Sequence, residues 1–169
     1  TSTDTGCFRY SNTTAHTFAV AAECPKAQAR IYELNQELFE TNTLGRLRMQ
    51  AWIVDHMQML GSGELAIVAI PRAVEEQLRL TEDDLENISG FPRSIEGVKI
   101  AATIREDGDN RVKVSVRAVP GYDASAICAS FGGGGHKGAA GCRPDCDYEE
   151  AKRLLLESVK KSCIGMVEF

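Results

Sequence analysis

The chain of 169 residues has a formal net charge of −5, is 43% hydrophobic and 25% charged, and contains no apolar run near the ~20 residues of a membrane-spanning helix. These values describe a globular chain long enough to bury a core, and they exclude a disordered polymer. The acidic excess lies in residues 1–110, whereas 111–169 are slightly basic, a distribution that suits a short anionic ligand better than long duplex nucleic acid.

Thr1–Gly6 has neither the make-up of a signal peptide nor an initiating Met, and reads as the start of a fragment. Thr3-Asp4-Thr5-Gly6 is a polar turn in which Asp4 is an Asx-turn residue, and strand-like alternation follows at Phe8 and Tyr10. Asn12 or Thr13 is placed to cap a helix with Ala15, Phe18, Ala19 and Ala22 on one face. Pro25 opens a second helix with the stripe Ala27, Ile31, Leu34 and Leu38. Thr43 caps a third, whose stripe Leu44, Leu47, Ala51 and Val54 predicts the buried face and which stops at Gly61-Ser62-Gly63, the preferred domain boundary. His16 and Asp55-His56 lie on these helices and read as surface or capping residues.

Leu65–Ile70 is a continuous apolar run ended by Pro71, which predicts a buried strand. A short helix with Val74 and Leu78 follows, then Thr81-x-x-Asp84 as a capping box for a helix to about Ser89. The acidic run Glu82-Asp83-Asp84 complements that helix N-terminus. Gly90-Phe91-Pro92 breaks the chain. Val98–Glu106 and Arg111–Val119 are two strands joined by the hairpin signal Asp107-Gly108-Asp109-Asn110. In the second strand Arg111, Lys113, Ser115 and Arg117 share one face and Val112, Val114 and Val116 the other. A wet sheet face explains the cations as well as a site does, but Arg117 lies nearest the glycine-rich end and carries a bidentate fork for phosphate or carboxylate. Asp123 caps a helix through Ala126, Ile127, Ser130 and Phe131. Asp147 with Glu150 opens the last helix, with Ala151, Leu154, Leu155 and Val159 inward, and 164–169 reads as a final edge strand.

Between those two helices runs Gly132-Gly133-Gly134-Gly135-His136-Lys137-Gly138-Ala139-Ala140-Gly141. Four glycines free the backbone to turn its N–H groups toward one point, and an imidazole and an ammonium follow, which predicts an anion pocket built from Gly133, Gly134, Gly135, His136 and Lys137. The run fits the spacing of a dinucleotide fingerprint but follows a helix rather than a strand, and it lacks the Gly-Lys-Ser/Thr of a phosphate-binding P-loop. The cysteines at 7, 24, 128, 142, 146 and 163 read as reduced cytosolic thiols, and Cys142-x-x-x-Cys146 has no second pair to complete a zinc site. The fold class is α/β: a mixed sheet with flanking helices, preceded by about sixty mostly helical residues.

The glycine run, preceded by Val114-Ser115-Val116-Arg117, resembles the signature of the C-terminal substrate-binding domain of DHH-family phosphoesterases. Thr3-Asp4-Thr5-Gly6-Cys7-Phe8-Arg9 resembles the last motif of that family's catalytic domain. The resemblance covers nearly the whole chain and is strongest to the bacterial oligoribonuclease and phosphoadenosine-phosphate phosphatase group. It implies that 1–42 ends a DHH catalytic domain, 43–62 connects, and 63–169 binds substrate. It further implies that Asp4 ligates one of two manganese ions in the intact enzyme. His136 and the glycine amides would hold the phosphate or terminal nucleotide of a short single-stranded RNA or of 3′-phosphoadenosine-5′-phosphate, with Arg117 and Ser115 assisting. No complete catalytic set is expected here, because the Asp-His-His triplet of the family is absent and Asp55-His56-Met57 does not replace it. The chain by itself is therefore expected to be inactive, not to hold the metals, and to belong to a cytoplasmic protein without membrane contact; a homodimer is compatible with it. Ala118 stands where relatives often have Ser. Cyclic di-AMP or a linear dinucleotide as substrate, and a non-catalytic tRNA-binding module, are the alternatives.

Overall fold

A computed structural model describes residues 1–10, 12–107 and 111–162, and the chain divides into two compact units, Thr1–Thr43 and Leu44–Phe169.

In the first unit, Thr1–Tyr10 is a series of turns, not the strand that Phe8 and Tyr10 predict. The buried Thr5 hydroxyl donates to Thr1 O (2.8 Å) and accepts from Phe8 N (3.1 Å), and Cys7 and Phe8 are left-handed (φ 57° and 63°). Local side-chain bonding of this kind competes with a strand ladder. Helix α1 (Ala15–Lys26) is capped by Thr14, one or two residues later than predicted, through a reciprocal box with Thr17. Pro25 lies inside its last turn rather than opening the next helix, and α2 (Ile31–Asn35) continues into a π-helical turn over Gln36–Glu40. The expected buried stripes are absent: α1 and α2 bury no residue, and Phe18, Ile31, Leu34 and Leu38 are exposed.

The second unit is a six-stranded mixed sheet of order β1-β2-β3-β4-β6-β5, formed by Gln58–Leu60, Leu65–Ile70, Ile100–Glu106, Val112–Ala118, Gly134–His136 and Ala139–Cys142 (β1 to β6 in chain order). Only β2 and β3 run parallel; the other neighbours are antiparallel. Gly61–Gly63 is the turn joining β1 to β2 inside this unit, not a boundary, because a Gly-Ser-Gly cluster reads alike as linker or hairpin. Helix α3 spans Leu44–His56, α4 Arg72–Gln77, α5 Glu82–Leu85, α6 Ala124–Ala129 and α7 Tyr148–Ser162. Among the described residues no helix is long and apolar enough to cross a membrane.

The period of two in each strand decides which layer it feeds. Leu65, Ile67, Ile100, Ala102, Ile104, Val112, Val114 and Val116 point to one face, where Ile127 and Cys128 of α6 and Ala151, Leu155 and Val159 of α7 complete the main core. Leu155 is fully buried, so Leu155→Ala should cost about 2–5 kcal/mol of unfolding free energy, read as a lower denaturant midpoint at unchanged slope. On the opposite face Val68 and Ile70 pack with Met49 and Ile53 of α3 and with Leu85 and Ile88. The stripe predicted for α3 is wrong. Leu44, Leu47 and Val54 are exposed, and Met49 and Ile53 are buried with Trp52 half-buried beside them, because apolar residues lie on both sides of this helix and the period alone does not choose.

Thr81 caps α5 through the predicted box, its hydroxyl and N–H both bonded to the Asp84 carboxylate (2.9 and 2.7 Å). The helix ends at Leu85 rather than near Ser89, because Glu86 is extended and Asn87 left-handed (φ 58°), which turns Ile88 into the core. Gly45 lets α3 approach this segment: a Cβ there would sit 2.8 Å from the Asp84 carboxylate, and Arg46 donates to Asp83 O (2.5 Å). The hairpin joining β3 to β4 is present, although 108–110 at its turn, like the strand expected at 164–169, lie outside the described residues.

Candidate functional site

Helices α6 and α7 cover one face of the sheet, whereas α3 and residues 82–94 cover only the β2–β3 half of the other. The uncovered half is the floor of a cavity of about 540 Å³, within the size range of small-ligand sites. Register places the floor residues in rows, because directly opposed residues of paired strands share a face. One row runs Thr103, Ser115, Gly141 and Gly134; a second runs Ala101, Arg117, Ala139 and His136; a third pairs Arg105 with Lys113. Glu82 and residues 85–89 form the facing wall.

Arg105 is held by Glu75 (2.8 Å), both side chains mostly buried, which fixes the guanidinium at the cavity edge. Arg117 Nη1 donates to Val116 O (3.1 Å). The floor is thus cationic along β4 and small along β6 and β5, while Glu82 and Glu86 make the wall acidic. Such a site attracts one anionic group to its floor and offers carboxylate acceptors to the rest of the ligand.

Of the predicted residues, Arg117, Ser115 and Gly134 line this cavity. His136 is exposed on the same sheet face, in the row of Arg117. Gly133 and Gly135 point the other way. A Cβ on Gly133 would meet Cys142 Cβ and Gly141 O at 2.5 Å, and one on Gly135 would meet Ala139 O at 2.6 Å. Lys137 occupies the hairpin turn, its carbonyl accepting from Ala124 N (2.8 Å).

The converging amides expected of the tetraglycine run are not present as such. Gly132 N and Gly133 N donate to Ala129 O (3.2 Å) and Cys128 O (3.0 Å), and Gly134–His136 is the edge strand β5. Those amides close α6 onto the sheet, so the run shapes the floor rather than forming a concave nest. Beneath it lie the buried thiols of Cys128 and Cys142. The Cys142 thiol beside it holds Cys128 below the usual thiol range, with the Arg117 cation adding to the effect against burial, and the same contact drives Cys142 upward. The capping box predicted at the start of α7 is half formed: Asp147 accepts from Glu150 N (3.0 Å), but the Glu150 carboxylate pairs with Arg153 (2.7 Å).

Asp4 belongs to the first unit, where its carboxylate is exposed and lies 3.5 Å from the Thr1 amino group. Among the described residues no group of three His, Cys, Asp or Glu side chains is placed to hold a metal. One carboxylate does not fit a two-metal site.

Sequence reasoning missed the wall residues Glu82, Glu86, Asn87 and Ser89 and the floor residues Thr103 and Arg105. The available signal was the polar alternation Thr103, Arg105 on β3 facing Lys113, Ser115, Arg117 on β4 across a hairpin.

A family model described as the DHHA1 domain matches residues 65–164. The chain is 30% identical over 160 residues to the bifunctional oligoribonuclease and PAP phosphatase NrnA of Thermus thermophilus, covering 94% of this chain and 47% of that protein. It is 27% identical over 154 residues to the protein of the same name from Bacillus subtilis, covering 91% and 48%. An exopolyphosphatase-related protein from Bacteroides fragilis superposes with a TM-score of 0.86 at 24% identity, over 95% of this chain and 47% of that one, and so shares its fold. The chain spans about half the length of the curated relatives it matches. With this sheet, this hairpin and this match over most of the second unit, the chain belongs to the DHHA1 domain family.

Proposed function

We propose that this chain is the substrate-binding portion of a manganese-dependent phosphoesterase that hydrolyses short RNA oligonucleotides and 3′-phosphoadenosine-5′-phosphate. The observation that carries the reading is the cavity floored by Ser115 and Arg117, set in a domain whose NrnA relatives are named for those two activities. Arg117 offers a planar fork to a phosphate, and the Ser115 hydroxyl donates beside it. Gly134 and Gly141 carry no side chain, so a sugar or base lies close against the sheet. His136 stands at the open edge of the same row, and Glu82 with residues 85–89 forms the wall facing the floor. Arranged in this way, the second unit binds and orients a substrate, which contributes to rate by fixing the reacting group rather than by transforming it. In the intact enzyme Asp4 would be one residue holding the metals, with the other ligands from outside this chain, and the chemistry such metals would supply is activation of the attacking water.

Titration calorimetry of the 169-residue chain with 3′-phosphoadenosine-5′-phosphate should give saturable heat, and the same preparation with manganese should release no phosphate. Absence of binding removes the nucleotide reading; robust turnover removes the assignment of the catalytic metals to residues outside the chain.

A further inference from the structure

The floor has a pattern that one phosphate does not use up. Lys113, Ser115 and Arg117 alternate on one face of β4, so neighbouring floor rows are separated by about 6.6 Å along the strand. The Arg117 row is cationic and the Arg105–Lys113 row is cationic. The row between them, Thr103–Ser115–Gly141–Gly134, has no charged group and no side chain larger than a threonine. In the Arg105–Lys113 row the Arg105 charge is already matched by Glu75 (2.8 Å). Among the described residues no carboxylate forms an ion pair with Lys113, although Glu82 and Glu86 line the same cavity.

Resting on the proposed nucleotide site, we infer that Lys113 forms a second anion subsite, so that the floor takes a phosphate–nucleoside–phosphate unit. One phosphate sits on Arg117, the ribose lies over the low middle row, and the other phosphate reaches Lys113. Arg117 and Lys113 are about 13 Å apart along the strand, and their long side chains lean inward onto two phosphates joined through a single ribose. The ligand class is a nucleoside 3′,5′-bisphosphate, or the terminal unit of a 5′-phosphorylated oligonucleotide.

Affinities of the unaltered chain for adenosine 5′-monophosphate and adenosine 3′,5′-bisphosphate provide the test, alongside Lys113→Ala, Lys113→Arg and, as a control on the opposite layer, Lys152→Ala. The unaltered chain should prefer the bisphosphate by about tenfold or more, the scale of one charge-assisted contact. Lys113→Ala should abolish that preference while leaving monophosphate affinity within about twofold; Lys113→Arg should retain it, and Lys152→Ala should behave like the parent. A preference that survives Lys113→Ala, or a loss that falls equally on both nucleotides, overturns the second subsite and leaves the nucleotide reading standing. Binding of neither nucleotide by the unaltered chain overturns both.

Discussion

Arg117→Ala should weaken binding of 3′-phosphoadenosine-5′-phosphate by about ten- to a hundredfold, the range of about 1.5–3 kcal/mol for a hydrogen bond to a charged group. The guanidinium lies in the floor of the cavity, in register with Ala139 and His136 on the neighbouring strands. Its two-pronged geometry matches two phosphate oxygens at once, whereas an ammonium reaches them as a point charge. Arg117→Lys should therefore fall between the parent and Arg117→Ala. Both affinities, measured at one stated salt concentration, check the expectation, since cationic contacts to phosphate weaken as salt rises. Equal affinity in all three proteins would place the phosphate elsewhere.

Gly133→Ala should destabilise the second unit by the upper part of the 1–3 kcal/mol typical of overpacking, lowering the melting temperature by roughly 2–4 °C for each kcal/mol. The new methyl would meet Gly141 O and Cys142 Cβ at 2.5 Å and Cys128 Cβ at 3.1 Å. None of these is the free end of a flexible side chain, so relief requires the β5–β6 hairpin to move away from α6. Gly134→Ala is the contrast. Its methyl meets nothing within 4 Å, yet it points into the cavity. Melting should hardly change there, and nucleotide affinity should fall because the floor rises beneath the ligand. A calorimetric scan and a titration on the two variants separate the effects of adjacent glycines.

The stronger physical signals in the sequence led directly to structure. Leu65–Ile70 is buried on both faces, so its unbroken apolar run could only be an interior strand, and the observed bounds are the same. The β3–β4 hairpin and the caps at Thr81 and Asp123 were legible because turn and cap chemistry is local. What failed depended on partners distant in sequence. Gly134–His136 and Ala139–Cys142 contain glycine and alanine, which strands ordinarily avoid; β6 is a strand because β4 offers it an edge, and β5 because β6 does in turn. The period of α3 fitted two faces equally, and tertiary packing selected Met49 and Ile53. The cavity shows the same division. Arg117 and Ser115 could be proposed from alternation along one strand, but the wall at Glu82 and Glu86 comes from a segment some thirty residues earlier, read as no more than a helix start.

Strand β4 keeps two tasks on opposite sides of one ribbon. Positions 112, 114 and 116 answer to the interior, and 113, 115 and 117 to whatever occupies the cavity. A lineage can therefore rewrite what it recognises by substituting every second residue, with little penalty in folding, and errors at the intervening positions are removed by misfolding whatever the ligand.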